Sequence, residues 1–119
     1  MDPRIQIALR IVDEQKASAH LTLVETSRAL HLSEPHLLRL FHREVGRSFR
    51  RYLRDRRMAK AAELVKAQVP PKDVACACGY TDMSNFYRDF KSTHGITPKE
   101  MWLKELMKSN DSSSRAQAA

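Results

Sequence analysis

Apolar residues recur at helical spacing in seven stretches of the chain, and each stretch is bounded by residues that start or stop a helix. Asp2 and Pro3 read as cap and first-turn residue of a first helix that carries Ile5, Ala8, Leu9 and Val12 on one face and ends near Lys16. A polar connection from Ala17 to Leu21 leads to Thr22, and Thr22 with Glu25 forms a capping box that opens a second helix running to about Leu30. A turn at His31-Leu32 precedes Ser33, the cap of a third helix over Glu34 to Val45 that buries Leu37, Leu40 and Phe41. A fourth helix starts at Ser48 and continues without a breaker to about Gln68, with Phe49, Leu53, Ala61, Leu64 and Val65 as its core stripe. Val69-Pro70-Pro71 ends it, and Pro71 opens a fifth helix with Val74, Ala75 and Cys78 turned inward. Gly79 supplies the next stop. Asp82 caps a sixth helix with Phe86 and Phe90 on one face, ending at Gly95. Thr97-Pro98-Lys99-Glu100 opens a seventh, to about Lys108, which closes the domain with Met101 or Trp102, Leu103 and Leu106.

Two of these stretches repeat. Ser33, Leu37, Phe41 and Gly46 stand 49 residues before Asp82, Phe86, Phe90 and Gly95 (82−33, 86−37, 90−41, 95−46), so cap, core and stop recur in register. Upstream the offset is 48, with Ser27 before Ala75 and His31 before Gly79, which makes the second turn one residue longer. The chain therefore builds one helix-turn-helix twice. The fold class is all-α: about seven helices in two helix-turn-helix subdomains, the first at about 22–45 and the second at about 71–94, joined by a long linker helix at about 48–68. The domain spans 1–108. Residues 109–119, SNDSSSRAQAA from Ser109 onward, have almost nothing to bury and read as a disordered tail.

Charge narrows the partner. A formal net charge of +7 favours a polyanion. In the third helix the face opposite the core offers Pro35, Arg39, His42 and Arg43, with His36 and Leu38 at its flanks; in the sixth it offers Ser84, Arg88 and Lys91. The fork of donors on Arg39 matches the O6 and N7 acceptors of guanine, and Leu38 suits a thymine methyl. Arg88 recurs at the same point of the second unit (88−39 = 49). Along the fourth helix Arg50, Arg51, Arg54, Arg56, Arg57 and Lys60 form a basic run suited to a phosphate backbone, with Arg57 on or near the apolar stripe and equally suited to a pairing inside the protein. A helix of about 20 residues is about 30 Å long, close to one turn of B-DNA, and so sets two reading helices into successive major grooves.

Other chemistries lack their residues. Cys76 and Cys78 point to nearly opposite sides of a helix and have no second pair, so neither a disulfide nor a zinc site is expected, and free thiols suit a reducing cytoplasm. No Gly-rich phosphate loop is present and His20, His31, His36, His42 and His94 are scattered over predicted surface and turns, so no enzyme activity and no cofactor are expected. The N-terminus has no signal-peptide pattern and no run of about 18 apolar residues marks a membrane span.

The residues quoted above, from Ala75 to Phe90 with Gly95-Ile96-Thr97-Pro98 and from Ser33 through Phe49, Tyr52, Leu53, Arg57, Ala61 and Leu64, resemble the AraC/XylS family of bacterial transcription regulators over about residues 5 to 107. The resemblance implies a seven-helix domain that inserts the second helix of each unit into the major groove of double-stranded promoter DNA. It implies a transcription activator that contacts RNA polymerase, localised to the bacterial cytoplasm and nucleoid, with the domain alone monomeric. By position it implies base reading by Pro35, Leu38 and Arg39 and by Met83, Ser84, Asn85, Tyr87 and Arg88, and His36 and His42 stand beside the first set as further base-reading candidates. The backbone contacts that go with it are Thr22, Ser33, Arg43, Arg50, Arg51, Arg54, Thr81 and Lys91. Three positions depart from the pattern: His31 replaces a frequent glycine, Pro35 and Leu38 replace larger or polar groups, and Met101-Trp102 replaces Tyr-Arg. The alternative is a basic helical interaction module, an adaptor or anti-activator, that meets an acidic protein. The two readings part on salt, because DNA binding falls steeply as salt rises.

Overall fold

The computed structural model describes residues 1–15 and 23–118, with side chains described for 1–14 and 23–108. Seven helices follow in order: α1 Pro3–Gln15, α2 Leu23–Ala29, α3 Glu34–Val45, α4 Phe49–Lys66, α5 Pro71–Ala77, α6 Met83–His94 and α7 Pro98–Ala118. The chain divides into two compact units, Met1–Arg57 and Met58–Ala119, and the boundary falls inside α4.

In the first unit, α1 and α2 both pack on α3. Ile5, Ala8 and Val12 from α1, Leu37, Leu40 and Phe41 from α3, and Phe49 and Leu53 from α4 make one buried cluster with Leu30. Phe41 sits edge-on to Phe49 and Tyr52, with ring centroids 5.4 and 5.6 Å away. In the second unit α5, α6 and α7 pack on one another. Met58, Ala61 and Val65 of α4 join Val74, Ala75, Cys78, Phe86 and Phe90 in a separate cluster. Met58 is fully buried although the stripe read from the sequence passed it by; it sits in the charged run Arg56-Arg57-Met58-Ala59-Lys60, which hides the periodicity.

The repeat in the sequence is a repeat of hydrogen bonds. Ser33 Oγ accepts from the backbone of His36 at 3.2 Å, and Asp82 Oδ1 accepts from the backbone of Asn85 at 3.1 Å. Gly46 and Gly95 take left-handed angles at the far ends, φ 85° and 80°, donating to the carbonyls of His42 and Lys91. The turns before the caps match as well. His31 is left-handed at φ 56°; it donates to Arg28, and Leu32 donates to Ser27. Gly79 is left-handed at φ 85°, donating to Cys76 while Tyr80 donates to Ala75. Both are Schellman closures, in which two backbone donors cap orphan carbonyls of the preceding helix. Two residues, Tyr80 and Thr81, separate Gly79 from Asp82, against Leu32 alone in the first turn.

Helix α4 begins after Ser48, whose Oγ accepts from the backbone of Arg51, and closes in the same Schellman manner at Gln68, φ 68°, with Val69 donating to Leu64. That end lies just before the expected one. Thr97 Oγ1 caps α7 by accepting from Glu100 at 3.1 Å. Two corrections apply to α7. Leu103, expected to face inward, is 43% exposed, because Met101 and Trp102 together cover the second core and turn Leu103 outward. The helix runs to Ala118 past the expected end near Lys108, through a stretch without Pro or Gly; the side chains of the tail expected over 109–119 lie outside the described residues.

Candidate nucleic-acid interface

Burying Leu37, Leu40 and Phe41 forces the other side of α3 outward. Pro35, His36, Arg39, His42 and Arg43 are all exposed there, and Leu38 is half-buried against the first core. Arg39 and Arg43 line two grooves on this face, one of about 660 Å³ with Leu38, His42 and Ser48 and one of about 410 Å³ with His36 and Leu40. Arg39 has no ion-pair partner among the described residues, so its donors are available to a ligand.

On α6 the same logic exposes Ser84, Asn85, Tyr87, Arg88 and Lys91 opposite Phe86 and Phe90. Met83 is half-buried against the second core, which leaves it less surface for a base than its neighbours have. Arg88 Nε lies 3.8 Å from Asp89 Oδ1, and Asp89 Oδ2 accepts the Tyr80 hydroxyl at 2.8 Å. Thr81 is exposed ahead of the cap.

The candidate backbone residues divide. Arg50 and Arg51 are exposed at the start of α4. Arg54 is half-buried, with its Nε 3.9 Å from Asp55 and without a hydrogen-bond acceptor. Arg56 is committed inside the first unit: it pairs with Asp13 at 3.1 Å, donates to the Tyr52 hydroxyl at 3.1 Å and lies 5.3 Å over that ring. The Tyr52 bond, with Asp13 beside it, holds the Arg56 guanidinium above its ordinary value. Ser33 Oγ is engaged as the α3 cap. Thr22 lies outside the described residues.

Two cations were missed. Lys72 and Lys99 line one groove of about 380 Å³ with Pro70, Pro71, Tyr87 and Trp102. Both follow a helix-opening proline, Pro71 and Pro98, and that repeated Pro-Lys pair was the available signal. His94, expected on surface or turn, is half-buried: its ring lies 4.5 Å from Phe90 and its Nε2 is 2.9 Å from the Met58 carbonyl. The spacing 86, 90, 94 carries it onto the core stripe. Among the described residues no group of His, Cys, Asp or Glu is arranged to hold a metal, and no helix is long and apolar enough to cross a membrane.

Comparison with known proteins agrees with this geometry. A family model described as "Helix-turn-helix domain" matches residues 26–102. The HTH-type transcriptional regulator YtdP of Bacillus subtilis is 39% identical over 82 residues, 67% of this chain and 10% of that protein. The transcriptional activator RhrA of Rhizobium meliloti is 27% identical over 93 residues, 76% of this chain and 29% of RhrA. The chain thus spans between a tenth and a third of the length of these relatives. Among solved structures, the C-terminal domain of the response regulator AraT from Geobacillus stearothermophilus superposes with a TM-score of 0.83 at 29% identity, covering 87% of this chain and 86% of that one.

Proposed function

Since the chain belongs to the AraC-type helix-turn-helix family of transcription regulators and carries its DNA-binding domain, we propose that it binds double-stranded promoter DNA sequence-specifically and activates transcription. Helix α3 reads one major-groove segment and α6 the next. The observation that supports this is the capped helix built twice, each with an arginine at the same step of its exposed face, Arg39 and Arg88.

In this reading Arg39 and Arg88 each present a fork to a guanine, while His36, His42, Ser84, Asn85 and Tyr87 supply further donors and acceptors, and Pro35, Leu38 and Met83 supply apolar contact. Thr22, Ser33, Arg43, Arg50, Arg51, Arg54, Thr81 and Lys91 hold phosphates, joined by Lys72 and Lys99. The DNA-binding domain comprises residues 1–108 and acts as a monomer. Activation, as in the Rhizobium relative named a transcriptional activator, proceeds through contact with RNA polymerase.

Selection of bound duplexes from a random pool tests the proposal. A defined motif is expected, with Arg39→Ala and Arg88→Ala each relaxing one base pair at a cost of about 1–3 kcal/mol and Arg51→Ala weakening all duplexes alike. Equal affinity for every duplex would defeat it.

A further inference from the structure

The two reading arginines differ in what stands behind them. Arg88 is 72% exposed, and its Nε lies 3.8 Å from Asp89 Oδ1. Asp89 is itself only 21% exposed, and the Tyr80 hydroxyl donates to its other oxygen at 2.8 Å. Tyr80 in turn is anchored: its backbone donates to Ala75 in the Schellman closure at Gly79, and its ring meets the buried Phe86 edge-on at 5.4 Å. Among the described residues the first unit has no such relay at the matching positions. The positions matching Asp89 and Tyr80 are Leu40 (89−49) and Leu32 (80−48), both packed against the first core.

We infer that Asp89 and Tyr80 are positioning residues for Arg88, fixing the guanidinium so that α6 discriminates at its base pair more sharply than α3 does at the one read by Arg39. This rests on the base-reading role proposed above. A carboxylate on the Nε side of a guanidinium leaves both Nη groups free, and those two parallel donors fit the O6 and N7 edge of guanine. An arginine side chain also has much rotamer freedom to lose on binding, and a carboxylate already held by a tyrosine removes part of that loss beforehand. The exposed pair adds little to folding, so its effect appears in recognition. Asp89 also sets a negative charge near an incoming phosphate backbone. Its removal therefore leaves general affinity for DNA unchanged or raises it, while discrimination falls.

The test uses the whole chain and the duplex motif selected from a random pool, compared with duplexes altered at each base pair. Tyr80→Phe and Asp89→Asn are expected to lower discrimination about 3- to 10-fold at the base pair lost in Arg88→Ala, a part of what a good bidentate contact supplies. Affinity for unrelated duplex holds or rises in Asp89→Asn. Placed in an Arg88→Ala background, Asp89→Asn changes discrimination no further, because the two act as one unit. The inference is overturned if Arg88→Ala relaxes its base pair while Tyr80→Phe and Asp89→Asn leave it sharp, or if the effect of Asp89→Asn persists without Arg88. If the parent protein prefers no sequence, the base-reading proposal itself fails and this inference with it.

Discussion

His31 and Gly79 occupy the same step of their two turns, and only glycine takes that left-handed angle without a steric penalty. A side chain there costs about 1–2 kcal/mol, part of which glycine returns through the entropy of the unfolded chain. Replacing His31 by Gly is therefore expected to stabilise the protein by about 0.5–1 kcal/mol, read as a higher urea midpoint at unchanged slope. Gly79→Ala should destabilise by about 1–2 kcal/mol. Asp2 supplies a pH-dependent term. Its bonds to the Arg4 guanidinium and backbone, at 3.0 and 2.8 Å, hold its carboxyl below the usual value. That stabilisation is present above the unfolded carboxylate value of about 4 and is lost as pH falls through the lower folded value. Asp2→Asn should flatten this part of the acid limb of a stability-versus-pH curve.

At the scale of elements, α3 and α6 depend on punctuation at both ends. Removing the cap oxygens by Ser33→Ala or Asp82→Ala should cost about 1 kcal/mol each, and hydrogen exchange should speed up first in α3 or α6 respectively. The same punctuation made these elements legible. Ser33 and Gly46 bound α3 at the residues expected, and Asp82 and Gly95 do so for α6. Where the chain bends without a signalling residue the sequence was silent: nothing about Gln68 announces a left-handed angle. Tertiary packing decided the remainder. Met101 and Leu103 fall on nearly opposite sides of α7, and only the position of the second core shows which is covered. The exposed faces of α3 and α6 were readable from their buried faces, whereas the burial of Met58 and the bond from His94 to its carbonyl arise from contacts distant in sequence.

Across the whole molecule, charge and core organisation each give a measurable consequence. If about six of the exposed lysines and arginines displace counterions, the logarithm of affinity should fall with the logarithm of salt at a slope near −5. The double substitution Lys72→Ala with Lys99→Ala should reduce that slope by about 2 and leave the selected motif unchanged. Phe41 and Phe86 are each fully buried, in separate clusters. Truncation of either to alanine should cost about 3–5 kcal/mol, and the two costs should add in urea denaturation, because the rings belong to separate clusters.

Among the described residues, the boundary between Arg57 and Met58 falls between the two clusters of buried apolar side chains. Such halves are inheritable as separate parts. A hybrid spliced at that peptide bond, with residues 1–57 from this chain and the remainder from a relative, should keep both cores intact and recognise a composite operator, one half following each parent.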